Sequence, residues 1–372
     1  MYYPPILRKY ERFMVKNSSA IKGVEDTLRS LSYILPGRFE DSEYVSQALA
    51  STLNIIGMYH DAILTKAVIR AALSSGATPP TPSPFNRYTR FWLRSPLYYR
   101  IALILTVVQT LEVWIEIAVM KKYGEKGKWR AVTLIEIIKV ACRLMLFRLS
   151  SYRMLLFQAF PEREVEPGEL LPPDIDDEDP IPSLEREKET PAYNLVRPLY
   201  GVGRMADYIH ILRPLIYVIS LRKYGRESWR PWTASLLVEL LSRGLSEWYL
   251  ASRGKYLLER QENSRRWYLL LYYLLRPPFY QYTKEYLATF CQYGDKKPFL
   301  SVIAGIIGDY QPLWESFYFY TRAHRSLGMH GIFGAYDLYY IVTGVQSWKK
   351  YRSMRAYKGS QVNFIGTPPN RI

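Results

Sequence analysis

Residues 101–147 read IALILTVVQTLEVWIEIAVM KKYGEKGKWR AVTLIEIIKVACRLMLF, two apolar runs joined by a short basic stretch that contains two glycines. The first run, 101–120, is long enough to cross the ~30 Å hydrocarbon core of a bilayer as a helix. Glycine and charged residues between two helical runs are typical of a helical hairpin. The stretch therefore predicts two helices that reverse direction near residue 126.

A second copy of this pattern follows roughly a hundred residues later. The stretch RKYGRESWR at 222–230 separates the apolar runs 208–221 and 231–250, as KKYGEKGKWR at 121–130 separates the first pair. Each copy has Lys-Tyr-Gly followed by a tryptophan and an arginine. The chain is therefore predicted to contain two related helical hairpins.

Polar side chains interrupt both hairpins at helical spacing. Steps of three and four residues place each set on one side of its helix. A charge at the centre of a bilayer costs ~2.5–3.5 kcal/mol, so unpaired charges would oppose insertion. The predicted polar stripe of the membrane hairpins consists of Gln109, Glu112, Glu116, Glu136, Lys139, Arg143, Arg213, Glu239 and Arg243.

Folding each hairpin about its centre predicts how the stripe pairs. Reversal at residue 126 brings Glu112 level with Lys139, and it brings Gln109 level with Arg143. Reversal at residue 226 brings Arg213 level with Glu239. We expect the stripes to face inward and the apolar faces to meet lipid or core. Both a transmembrane hairpin and an amphipathic bundle half-sunk in one leaflet fit this pattern.

The charge distribution points to an anionic surface. The chain carries +16, but residues 161–191 hold twelve acidic side chains against three basic ones, so the remainder carries +25. Such a basic body suits nucleic acid or an anionic membrane. The basic clusters lie at the ends of the apolar runs, as membrane-orientation rules require, which favours a membrane. The 33 tyrosines and 9 tryptophans fit a membrane interface, or ordinary packing in an aromatic core.

No catalytic or cofactor motif is recognisable. The four histidines lack the spacing of a metal site, and Gly201-Val-Gly203 lacks the third glycine of a dinucleotide fingerprint. Neither a phosphate-binding Walker loop nor a Gly-x-Ser-x-Gly elbow occurs. The prediction is a non-enzymatic protein without a cofactor, a metal or a nucleic-acid partner. With two distant cysteines, it faces a reducing compartment.

The predicted fold is all-α: a membrane-associated helical bundle built around two related helical hairpins, with a disordered acidic loop between them. Helices are expected over about 20–33 and from residue 42 onward, and a short one in WYLLLYYLLRPPFYQYT (267–283), stopped by Pro277-Pro278. The predicted divisions are an N-terminal helical region (1–73), a proline-rich linker (74–94), the first hairpin (95–160), the acidic loop (161–191), the second hairpin (192–260), a C-terminal helical region (261–327) and a C-terminal extension (328–372).

Six stretches carry a resemblance to a known family. They are SYILPGRFEDSE (32–43), KKYGEKGKW (121–129), RPLIYVISL (213–221), SWRPW (228–232), LLLYYLLRPPFY (269–280) and DYQPLWESFYFY (309–320). In this order they resemble the peroxin-16 family, over most of residues 5–325. The residues that match its motifs, and for which a structural role is expected, are Gly37, Arg38, Phe39, Trp129, Trp229, Pro231, Trp232, Arg276, Pro277, Phe279 and Tyr280.

The resemblance implies a peroxisome biogenesis factor. It implies a scaffold or receptor at the peroxisomal membrane, reached through the endoplasmic reticulum, that recruits or inserts membrane proteins. The implied partners are membrane lipid, peroxin-3 and the peroxin-19 chaperone. In some fungi the family is linked to restraint of peroxisome division, so the alternative is a peripheral membrane-shaping or lipid-binding protein. The sequence does not indicate an oligomeric state.

Overall fold

The chain folds into an all-helical bundle, as predicted. Its structure, a computed structural model, describes residues 5–35, 41–74, 82–157, 159–161, 192–254, 256–270, 273, 276–294, 311 and 315–319. Among these residues the only β-type pairing is an isolated bridge between Arg153 and Pro198. The helices are α1 (Pro5–Lys16), α2 (Ser18–Ile34), α3 (Ser42–Ser74), α4 (Pro84–Leu93), α5 (Pro96–Leu149), α6 (Val202–Tyr224), α7 (Trp229–Arg253), α8 (Leu257–Tyr268) and α9 (Phe279–Gly294).

Both hairpins turn at a glycine with the same unusual backbone conformation. Gly124 interrupts α5 with φ 67° and ψ −166°, and Gly225 ends α6 with φ 81° and ψ 169°. This region of backbone space is essentially restricted to glycine. The two glycines occupy the same position of the Lys-Tyr-Gly repeat. The repeat is therefore a turn signal used twice.

The arms of α5 pack on each other and against the second hairpin. A cluster of Ile101, Leu105, Cys142 and Leu146 fills the space between the two arms. A second cluster joins the second arm of α5 to α4, α6, α7 and α8. Its buried members are Tyr88, Val140, Phe147, Met154, Val196, Leu199, Ile211, Tyr249, Leu250 and Leu258. The two hairpins thus share a core.

The N-terminal helices pack beside the first hairpin. The helix predicted over 20–33 is α2, and the next begins at Ser42 as expected. Ser51 on α3 donates a hydrogen bond to the carbonyl of Thr110 on α5 at 2.9 Å. His60 on α3 bonds to Glu25 on α2 through Nδ1 and to the Tyr10 hydroxyl on α1 through Nε2. These contacts join α1, α2 and α3 into one group.

The prediction of a proline-rich linker over 74–94 is wrong for the second half of that range. Residues 84–93 form helix α4, whose N-cap Ser83 accepts a hydrogen bond from the Asn86 backbone N–H at 3.2 Å. Pro84 occupies the first turn of the helix, where its missing N–H costs nothing. A proline-rich stretch predicts a break in helical structure, whereas Pro84 begins a helix.

The aromatic stretch 267–283 agrees in part with its prediction. Helix α8 runs through Trp267 to Tyr268, the described residues 269, 270 and 273 continue as a 3₁₀ helix, and helical structure stops before Pro277-Pro278, after which α9 begins at Phe279. Its expected packing on the hairpins is present, because Trp232 on α7 donates a hydrogen bond to the carbonyl of Tyr273 at 3.0 Å. Three other predictions lie almost wholly outside the described residues. They are the disordered loop 161–191, the structural role of Gly37, Arg38 and Phe39, and the extension 328–372.

Candidate functional site

The inner face of the first hairpin holds a buried group of charges. Glu112, Glu136 and Lys139 are each fully buried. The Lys139 ammonium contacts the Glu112 carboxylate and lies 2.9 Å from that of Glu136. The structure thus joins Glu112 to Lys139, the pair that folding about residue 126 brings level. Gln109 is buried as well, but Arg143 interacts with the charges of Glu112 and Glu262 rather than with Gln109.

The second hairpin has its own ionic group. Glu239 is fully buried and contacts the Arg213 guanidinium from the opposite arm. Arg243, one turn further along α7, donates hydrogen bonds to the other oxygen of Glu239 at 2.6 and 2.8 Å. One carboxylate therefore joins two arginines, and the structure brings together Arg213 and Glu239 as folding about residue 226 requires.

A third ionic group was missed from the sequence. Arg266 on α8 contacts Asp207 on α6 at 2.8 Å and Glu262 on its own helix at 3.1 Å, and all three are buried. Burial alone would raise the pKa of Glu262, but the charges and hydrogen bonds of Arg265 and Arg266 hold that pKa below its ordinary value. The spacing of Glu262 from Arg265 and Arg266, three and four residues, is the sequence signal that could have indicated part of this group. We call the three groups together the charge core.

A short segment of the C-terminal region covers one end of the charge core. We call residues 315–319 the cap segment. The backbone N–H groups of Tyr318 and Phe319 donate to the Glu116 carboxylate at 2.7 and 3.0 Å. The Phe319 ring lies 4.6 Å from the Lys139 ammonium, and Lys128 donates to the Ser316 carbonyl at 3.3 Å. Glu116, a member of the predicted stripe, is thus satisfied by backbone rather than by a side chain of the hairpins.

The outer faces of the same helices are apolar. Exposed large hydrophobic residues on the two hairpins include Leu97, Ile104, Leu134, Ile137, Met145, Met205, Leu212, Ile219, Leu237, Leu240, Leu241 and Trp248. Large apolar side chains exposed in this number on two hairpins are typical of a membrane or protein interface. Within the described residues, one helix, α5, has the length and composition needed to cross a membrane. The hairpins therefore turn charge inward and apolar side chains outward.

Two stretches that carry the resemblance meet in the structure. Trp232 of SWRPW stacks on Phe279 of the later stretch with ring centroids 5.5 Å apart, and Trp229 packs edge-on against both. Pro231 and Tyr280 are buried.

Arg276 and Trp129 make further contacts of the C-terminal region. The Arg276 guanidinium lies over the rings of Tyr217 and Tyr273 at 4.7 and 4.4 Å, and Pro277 precedes α9. Trp129 lies in an edge-on contact with Tyr318 of the cap segment. These contacts fasten the C-terminal region to both hairpins.

The family follows from a comparison of the whole sequence. The model of the family described as "Peroxisomal membrane protein (Pex16)" matches residues 8–181 and 176–316. The chain belongs to the Pex16 family. It is accordingly a peroxisome biogenesis factor of a family of peroxisomal membrane proteins, a family not known for enzymatic activity.

Individual Pex16 relatives support this assignment. The chain is 25% identical over 352 residues to Peroxisome biogenesis protein 16 of Arabidopsis thaliana, which covers 76% of this chain and 90% of the relative. It is 34% identical over 128 residues to Peroxisome biogenesis factor 16 of Dictyostelium discoideum, a third of each chain. It is 20% identical over 328 residues to Peroxisomal membrane protein PEX16 of Schizosaccharomyces pombe, covering 77% and 88%. No solved structure matches the chain.

Proposed function

We propose that this Pex16 protein is a membrane scaffold that recruits or inserts other peroxisomal membrane proteins. Its client is peroxin-3, delivered with the peroxin-19 chaperone. It acts at the endoplasmic reticulum as well as at the peroxisome. Its role is non-enzymatic: the hairpins hold it in the membrane, and helices outside them present the docking surface.

The observation that supports this proposal is the inverted arrangement of the two hairpins. Glu112, Lys139 and Glu239 are fully buried while residues such as Leu134 and Leu237 are more than half exposed. Pairing inside the hairpins offsets part of the cost of carrying charges into a bilayer. The arms of α5 on either side of Gly124, 28 and 25 residues, would extend ~42 and ~37 Å, enough for a ~30 Å core.

The first experiment tests anchoring. Vesicles that carry the full chain are washed with alkaline carbonate, and the membrane and supernatant fractions are compared. An embedded scaffold stays with the membrane, because the exposed apolar faces are covered by lipid. Release into the wash, with a monodisperse protein in detergent-free buffer, would contradict the anchor.

The second experiment tests recruitment. Cells that lack the chain are supplied with newly made, labelled peroxin-3, and its location is followed over time. A scaffold for insertion predicts that peroxin-3 fails to reach the peroxisomal or endoplasmic reticulum membrane until the chain is restored. Normal delivery of peroxin-3 together with an altered number of peroxisomes would instead favour the peripheral, division-regulating alternative.

A further inference from the structure

A partly open cavity lined by arginines lies beside the charge core. Its volume is about 100 Å³, room for several waters or one phosphate group. It lies between the second arm of α5, the first part of α6 and helix α8. Five arginines line it, against two carboxylates, those of Asp207 and Glu262. The arginines are Arg143, Arg213, Arg265, Arg266 and Arg276. We call it the arginine cavity.

Three of the five arginines are neutralised by carboxylates. Arg213 contacts Glu239, Arg265 contacts Glu262 at 2.6 Å, and Arg266 contacts Asp207 at 2.8 Å. Within the described residues, Arg143 and Arg276 form no ion pair. The wall therefore carries more guanidinium groups than carboxylates, and those of Arg143 and Arg276 are left for a ligand.

The buried polar atoms of the wall are also incompletely satisfied. Arg276 is 8% exposed, and its Nε has no hydrogen-bond partner among the described residues. Nδ1 of His210, which also lines the cavity, likewise has no hydrogen-bond partner among the described residues. Unpaired buried donors and cations cost free energy, and a bound anion removes that cost. Arg276 Nε is thus a buried donor of the wall that is left for an acceptor oxygen of a ligand.

The geometry points to a binding site for a phosphate group in the arginine cavity, held by Arg143 and Arg276 and supplied by a phospholipid headgroup or by free phosphate. Guanidinium groups from separate parts of the chain, Arg143 on α5 and Arg276 just before α9, suit the oxygens of phosphate, which accept paired N–H donors from several directions. The rest of the wall includes Leu105, Leu146, Met154, Leu155 and Leu156, apolar surface of the kind that accommodates acyl chains. This site is independent of client recruitment.

The test is ligand-dependent stabilisation of the full chain in a neutral, phosphate-free detergent. The probes are dioctanoyl phosphatidic acid, inorganic phosphate, and dioctanoylglycerol as a lipid without phosphate. Wild type should show a saturable rise in Tm with a phosphate-bearing probe and none with dioctanoylglycerol. Arg143→Gln should weaken the apparent affinity about tenfold or more, because a charge-assisted contact is lost. Arg148→Gln, an exposed arginine of the same helix, should bind as wild type does.

The Tm without ligand separates a binding site from a structural role. If Arg143 serves a bound anion, Arg143→Gln alone should unfold close to the wild-type temperature, because Arg143 forms no ion pair within the described residues and acts on Glu112 and Glu262 only from a distance. Arg276→Gln should also lose the response to phosphate, with a lower starting Tm because its tyrosine contacts are lost. The proposal is overturned if wild type shows no saturable response to either phosphate probe, or if both variants respond with wild-type affinity.

The same titration identifies the source of the phosphate. Saturation by phosphatidic acid, with no response to inorganic phosphate at large excess, assigns the site to a phospholipid headgroup. Comparable apparent affinities for the two probes assign it to free phosphate.

Discussion

At the scale of single residues, the turn glycines define both hairpins. Gly124 and Gly225 share a backbone conformation that other residues avoid, yet a Cβ built on either would meet no atom within 4 Å. The requirement for glycine there is therefore a requirement of the backbone alone. The sequence repeat indicated the turns, but the shared positive φ follows only from the structure.

Alanine at the turn glycines should measure this requirement directly. We expect Gly124→Ala and Gly225→Ala each to lower the free energy of unfolding by about 1–3 kcal/mol, the usual cost of strained backbone. The control is Gly244→Ala in helix α7, where a Cβ also meets nothing and φ is not positive, so alanine should stabilise by about 0.5–1 kcal/mol. Denaturation in detergent micelles measures all three, and equal effects at the three glycines would refute the explanation.

Glu262 gives the charge core a pH dependence. The pKa of Glu262 is lower in the folded chain than in the unfolded chain, where it is about 4.3. The ionised carboxylate therefore stabilises the folded chain above about pH 4.3, and this stabilisation is lost as the pH falls through the folded pKa. Glu262→Gln should therefore flatten the loss of Tm between about pH 6 and 3. The matched control, Glu285→Gln at an exposed position of α9, should keep the wild-type slope. An unchanged slope in Glu262→Gln would mean that other carboxylates carry the effect.

At the scale of elements, how much of the charge core is predictable depends on how far apart its partners lie. Glu112 with Lys139, and Arg213 with Glu239, belong to one hairpin each, so a turn position fixes their register. Asp207 and Arg266 are 59 residues apart, and Glu116 and Tyr318 are 202 apart. Nothing in local spacing relates such partners, because their contact depends on how separate elements pack.

Removing the cation of the first hairpin should be costly. Lys139→Met leaves the Glu112 and Glu136 carboxylates in a buried site without their shared ammonium, and we expect a loss of about 3–5 kcal/mol in unfolding free energy. Lys126→Met, in the exposed turn, should change little. Combining Lys139→Met with Glu112→Gln and Glu136→Gln should restore much of the stability in the same denaturation assay. A single variant as stable as wild type would show that the ammonium is dispensable.

The attachment of the cap segment should depend on one carboxylate. Glu116→Gln replaces an anionic acceptor of two backbone bonds with a neutral one, and hydrogen bonds to charged groups are worth about 1.5–3 kcal/mol each. We expect the amides of Tyr318 and Phe319 to exchange with deuterium about tenfold faster or more. Glu285→Gln, at an exposed position of α9 outside the cap segment, is the control. Unchanged exchange in Glu116→Gln would place the attachment in the aromatic contacts instead.

At the scale of the whole molecule, the sequence predicted the architecture better than the boundaries. Two apolar runs around each Lys-Tyr-Gly turn were sufficient to predict both hairpins, because helical periodicity and a glycine turn are local signals. Helix α4 was missed since a proline can end a helix or begin one. The cap segment and the arginine cavity were not predictable, because both form where elements distant in sequence meet.

The bridge between Arg153 and Pro198 indicates where the chain could be divided into two polypeptides. It brings together the residues just before and just after the acidic stretch, and the Leu199 amide donates to the Tyr152 carbonyl at 2.8 Å beside it. A covalent connection between two positions that lie close together in the fold can be cut with little disturbance to the remaining structure. We therefore expect two separate polypeptides made in one cell, residues 1–160 and 192–372, to associate and to co-purify from membranes. A division inside α5 at Val132, which is fully buried, should instead yield fragments that do not associate. Two pieces that fail to associate when divided at the acidic stretch would show that covalent continuity there is required for assembly.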